Sequence, residues 1–123
     1  MKKILAVSVL ALGVASCAVA GDAGWRYTYS SIKHNIRVSC PEAGSSQCTY
    51  ECWNKPRQAG QGSPDLSLKD GQHILYPNGN SLYRFTTGNV RIEVFDSLRH
   101  DEDDSLDVYI NGRRKNHYRL TVR

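Results

Sequence analysis

From Trp25 onward, apolar residues recur at every second position in short runs, and no stretch of ten or more residues spaces them at i, i+3, i+4 and i+7. A period of two sends alternate side chains to opposite faces of an extended chain, so the runs predict half-buried strands and no helix. The pattern is clearest from Val90 to Leu120. Val90, Ile92 and Val94 alternate into an acidic segment, and Leu106, Val108 and Ile110 alternate out of it. Asn111-Gly112 follows, the dipeptide that most favours a tight hairpin turn.

The rest of the chain keeps this rhythm. Trp25-Arg26-Tyr27-Thr28-Tyr29 alternates aromatic and polar residues, and Ile32 to Cys40 places Ile36, Val38 and Cys40 on one face. Cys48 to Trp53 does the same with Cys48, Tyr50 and Cys52, after a loop from Pro41 to Gln47. Leu66 and Leu68 predict a short strand ending at a Lys69-Asp70-Gly71-Gln72 turn, with a new strand from His73 to Tyr76. Leu82 to Thr86 and Tyr118 to Val122 complete the set, and Pro77-Asn78-Gly79-Asn80 and Thr87-Gly88-Asn89 are further connections. About eight short strands with turns every 8–12 residues predict an all-β domain, a small antiparallel β-sandwich or a partly open barrel. Asn54 to Pro64, with prolines and glycines and no periodicity, is the longest loop.

Residues 1–20 read as a signal peptide, which leaves 21–123 as a single domain. Met1-Lys2-Lys3 is basic, and Ile4 to Val14 is apolar but shorter than the roughly 20 residues a membrane-spanning helix needs. Two processing sites compete. Ala18-Val19-Ala20 suits ordinary signal peptidase, whereas Val14-Ala15-Ser16-Cys17 matches a lipobox, with Cys17 lipidated and the product membrane-anchored. Either route leads to the periplasm or beyond. Loss of Lys2 and Lys3 leaves 14 Lys+Arg against 12 Asp+Glu, a balance that argues against a nucleic-acid partner.

The domain retains Cys40, Cys48 and Cys52, so an oxidising compartment leaves one thiol unpaired. If the two cysteine-bearing runs pair across Pro41–Gln47, the simplest register sets Cys40 against Cys48, Val38 against Tyr50 and Ile36 against Cys52. Opposed Cβ atoms lie about 4.5–5.5 Å apart, near disulfide geometry. That register predicts a Cys40–Cys48 bridge with Cys52 in the core, while a different offset would allow Cys40–Cys52.

Two charged segments are candidate sites. Between Asp96 and Asp107 stand five Asp and one Glu against one Arg. Asp101, Asp103, Asp104 and Asp107 offer the hard oxygen ligands that Ca²⁺ takes, although the spacing is not that of an EF-hand and a solvated acidic loop is the plainer reading. Arg113, Arg114, Lys115, Arg119 and Arg123 form the opposite pole, with His117 among them. They suit an acidic partner surface, or else pair with the acidic segment and guard a sheet edge. Trp53 at the entrance of the long loop, with Lys55 and Arg57, is a candidate contact surface, or alternatively a buried core tryptophan. Seven Tyr and two Trp against two Phe fit amphipathic contact surface as well as core.

Catalysis finds no pattern. His34, His73, His100 and His117 are isolated, there is no C-x-x-C, and no G-x-S-x-G or glycine-rich phosphate loop occurs. The expectation is a binding protein that is not an enzyme and carries no cofactor; the alternative is a structural or adhesion-type β-sandwich module stabilised by Ca²⁺ at the acidic loop 96–107.

The run Val90, Ile92, Val94, Phe95, Asp96, continued by Asp104, Leu106, Val108, Ile110, Asn111 and Gly112, resembles a pattern of secreted bacterial β-sandwich domains. In size, export signal, predicted disulfide and basic, Tyr-rich character the chain also resembles periplasmic immunity proteins and lysozyme-type inhibitors. That resemblance implies an envelope protein partner, a cell-wall hydrolase whose acidic cleft receives Arg113, Arg114, Lys115, His117 and the Asn54–Pro64 loop.

Overall fold

The structure, a computed structural model, describes residues 24–98 and 102–122. Eight antiparallel strands follow one another around a closed barrel: β1 (Trp25–Ser30), β2 (His34–Cys40), β3 (Cys48–Asn54), β4 (Leu66–Leu75), β5 (Ser81–Thr87), β6 (Val90–Asp96), β7 (Asp104–Ile110) and β8 (Arg113–Val122). Each strand pairs with the next in sequence, and closure rests on Tyr29 opposite Val122 and Ser30 opposite Thr121. The all-β antiparallel class is as expected; in place of a sandwich or a partly open barrel, the β1–β8 pairing closes the barrel fully.

An eight-stranded barrel is narrow enough for side chains to fill its interior. Tyr29, Ile36, Val38, Tyr50, Phe85, Val94 and Leu106 fill it here, each at most 2% exposed. The β2–β3 register is the one the cysteine spacing predicts, with Val38 opposite Tyr50 and Ile36 opposite Cys52. Cys40 and Cys48 form the disulfide across Cα atoms 4.2 Å apart, and Cys52 is a buried free thiol. Burial raises the pKa of that thiol.

Two strand boundaries differ from expectation. Lys69 to Gln72 is not a turn, because β4 runs unbroken from Leu66 to Leu75. Lys69 and Asp70 together face the single Thr49, a β-bulge, with Asp70 in the left-handed region at φ 59°. The bulge bends the strand rather than reversing it, so its first half pairs with β3 and its second with β5. The basic C-terminal segment is likewise strand from Arg113, not from Tyr118. Asn111 and Gly112, at φ 53° and 79°, form the tight turn, which sets Arg113 against Ile110 at once. Pairing to β7 thus overrides the low strand preference of a charged run.

The up-and-down order sorts the connections by end. Links β1–β2, β3–β4, β5–β6 and β7–β8 lie at one end, and links β2–β3, β4–β5 and β6–β7 at the other. Among the described residues, the first end carries Lys33, Lys55 and Arg57 against Asp65, with Arg113 just inside β8; the second carries Glu42, Glu102 and Asp103. The barrel is therefore charge-polarised along its axis.

Candidate functional site

The long loop and the β7–β8 hairpin, far apart in sequence, open at the same basic end. Lys33, Lys55, Arg113 and Lys115 are exposed there, and none of them joins an ion pair among the described residues. Lys55 N donates to Lys33 O at 3.0 Å, which holds two of these connections side by side. Ile32, 83% exposed, shares a shallow groove there with Lys33, His34, Asn54 and Lys55.

Other residues expected on this surface have structural partners. Arg57 ion-pairs with Asp65 and donates from Nη1 to Ser63 O at 2.8 Å, so it fastens the loop internally. Arg114 lies 3.5 Å from Asp107, and His117 Nδ1 donates to the same carboxylate at 2.5 Å. Arg119 reaches Asp103 at 3.1 Å. Much of the basic strand thus pairs with nearby acids, as the plainer reading anticipated, while Arg113 and Lys115 do not. Lys115 is the extra residue of a second bulge, between Asn116 opposite Val108 and Arg114 opposite Tyr109. A lysine bulge on a strand whose far side has no partner among the described residues until Thr121 is a device against edge-to-edge aggregation.

Trp53 is not a contact surface. It is 1% exposed on the outer face of β3, beneath the 55–65 loop. Its Nε1 donates to Gly62 O at 3.0 Å, and the Arg37 guanidinium lies 5.2 Å from its ring. Asn35 Nδ2 donates to Arg57 O at 2.8 Å from the adjacent strand. Proline and glycine in the loop let it fold back, and the indole is its anchor.

The described members of the proposed calcium set do not converge. Asp104 and Asp107 are three positions apart on β7, so strand alternation sends them to opposite faces. Asp104, 6% exposed, accepts a hydrogen bond from Ser97 N at 2.7 Å, while Asp107 faces Arg114 and His117. Asp103 pairs with Arg119, and no group of three or more His, Cys, Asp and Glu suited to a metal occurs among the described residues. Asp101, His100 and Cys17 lie outside the described residues.

The acidic end holds a feature not expected from sequence, a cup of about 250 Å³ in the barrel mouth. Strand alternation brings Trp25 and Tyr27 of β1, His73 of β4, Tyr83 of β5 and Asp96 of β6 to it. His73 stacks on Tyr83 at 4.9 Å and meets the edge of Trp25 at 5.3 Å. Gly44 N donates to His73 Nδ1 at 3.0 Å, so the ring proton sits on Nε2, 2.8 Å from Ser81 Oγ. This neutral tautomer agrees with the lowered His73 pKa, whose cause is desolvation. Below the cup, Tyr29 donates to Asp96 at 2.5 Å, and burial first, then Asp96, raises its phenol pKa far above the ordinary range. The alternation of Trp25, Tyr27 and Tyr29 was the sequence signal for this wall. Its partners on β4, β5 and β6 needed the barrel register.

Comparison with known proteins found no matching family model, no matching curated protein and no matching solved structure. Function therefore rests on the chain's own chemistry.

Proposed function

We propose that this chain is an exported envelope binding protein that docks its basic barrel end onto an acidic protein surface, with the cleft of a cell-wall hydrolase as the partner class. The supporting observation is that Lys33, Lys55, Arg113 and Lys115, exposed and free of described ion pairs, lie at the barrel end that also carries the exposed Ile32, with Lys33 and Lys55 in its groove. An apolar contact with cations beside it is the layout of an interface with a small desolvated centre and a charged rim. Acidic groups gathered at the far end keep that potential from being cancelled locally, and a field of this kind raises association rates toward a negative partner.

On this reading Ile32 enters the partner's cleft and the four cations meet carboxylates around it. Arg57, Arg114 and His117 hold the loop and hairpin in shape. The test is clearance of a cell-wall suspension by a purified lysozyme-type hydrolase in the presence of residues 21–123. Saturable inhibition that fades with salt, and is lost when Lys33, Lys55, Arg113 and Lys115 are changed to Glu, supports the reading. Inhibition equal for both proteins removes the basic end from the account, and no inhibition by either removes the hydrolase.

A further inference from the structure

We infer that the aromatic cup at the acidic mouth of the barrel is a second, independent binding site, and that it takes an organic ammonium or guanidinium group. Trp25, Tyr27, His73 and Tyr83 line it with aromatic surface, and Asp96 is the only charged group among its described lining residues because His73 is held neutral. No ion pair among the described residues involves Asp96; its described partner is the Tyr29 hydroxyl. Exposed Tyr27, Leu75 and Leu98 form the rim, at 44%, 57% and 61%.

The choice of ligand follows from cost. A neutral apolar group would remove water from the Asp96 carboxylate without replacing its hydrogen bonds. An anion would meet that carboxylate, with Glu102, Asp103 and Asp104 on the neighbouring connection and strand start. A cation gains from the carboxylate and from ring faces, the combination that recognises ammonium groups. At about 250 Å³ the cup falls below the roughly 300 Å³ lower range of drug-sized sites, so it holds a head group rather than a whole large ligand. That head group has two sources, a free small cation or a Lys or Arg side chain of another protein.

The experiment follows the indole N–H signals of the folded 21–123 domain by NMR during titration. The probes are choline chloride, its neutral dimethylbutanol isostere, N-acetyl-lysine amide, N-acetyl-arginine amide, and sodium chloride at matched ionic strength. The expected result is a saturable shift of the Trp25 signal by cations, with the buried Trp53 signal unmoved. Tighter binding of choline assigns a free small cation, and tighter binding of either amino-acid amide assigns a partner side chain. Asp96→Asn keeps an acceptor for Tyr29 and should weaken binding by on the order of tenfold. Tyr27→Leu, at an exposed rim position, should weaken it severalfold. Equal binding of the neutral isostere, unchanged affinity in Asp96→Asn, or no saturable shift with any cation overturns the proposal.

Discussion

Gly71 sits where the bent β4 strand presses against the core, and its replacement by alanine tests the packing directly. A Cβ built there would lie 2.1 Å from Phe85 Cε1, 2.3 Å from Cδ1 and 2.8 Å from Cζ, against about 3.5–4.0 Å for ordinary carbon contact. Phe85 is 0% exposed and its ring centroid lies 5.4 Å from that of Tyr50, so the ring has nowhere to retreat without displacing another core aromatic. Gly71 is not among the residues with positive φ, so alanine meets no backbone strain there. Loss of unfolded-chain entropy alone would make Gly71→Ala stabilising by about 0.4–1 kcal/mol. Overpacking costs about 1–3 kcal/mol and more where the neighbours cannot yield. The expected net is a loss of about 2 kcal/mol, or roughly 8–16 °C in Tm for a domain of this size. Urea unfolding followed by circular dichroism measures it. Phe85→Leu opens space beneath Gly71, so the double variant should lose at least ~1 kcal/mol less than the two single losses added. A Gly71→Ala protein as stable as wild type, or strict additivity with Phe85→Leu, would refute the close-packed corner.

Three further outcomes follow from the same structure. Reduction of Cys40–Cys48, whose partners are separated by 8 in sequence, should cost about 2.5 kcal/mol by loop-closure entropy; Cys52, buried with a raised pKa, should resist alkylation until the protein is unfolded. Trp53→Ala should cost about 3–5 kcal/mol and make the 55–65 loop sensitive to protease, and a mild effect would mean that the loop does not depend on the indole. His34 and His73 both have pKa values lowered first by desolvation, so the unfolded chain takes up protons more readily than the folded one. Their stabilisation is full above the unfolded histidine pKa of about 6.5 and falls as pH drops below it. The urea midpoint should therefore decrease between pH 7.5 and 5, by less in His73→Gln, and an equal decrease in that variant would remove His73 from the account.

Local pattern and long-range register contributed differently to what could be read from the chain. The Cys40–Cys48 bridge was legible because both cysteines flank one short connection, and period-two alternation fixes which side chains oppose each other there. The Asn111-Gly112 turn was legible for the same local reason. Lys69 to Gln72 misled because polar residues with a glycine mark turns and bulges alike, and only the partner strand, with Thr49 opposite both Lys69 and Asp70, decides between them. Trp53 and Asp107 misled because their surroundings come from elsewhere in the chain: Gly62 and Arg37 for the indole, Arg114 and His117 for the carboxylate. The basic residues of the loop and the hairpin were visible singly. Their shared end, and the cup at the opposite end, follow from the order in which strands close the barrel, which no single run encodes.

The proposed function puts partner binding on the basic end of the barrel and not on the barrel as a whole. Its most direct test is capture from envelope extract by immobilised 21–123 domain, wild type beside the Lys33, Lys55, Arg113 and Lys115 to Glu variant, each at low salt and in about 1 M salt, where the Debye length is ~3 Å. The account predicts an acidic protein held by wild type at low salt, released at high salt and absent from the variant. The same protein held equally by both, at either salt, would contradict it.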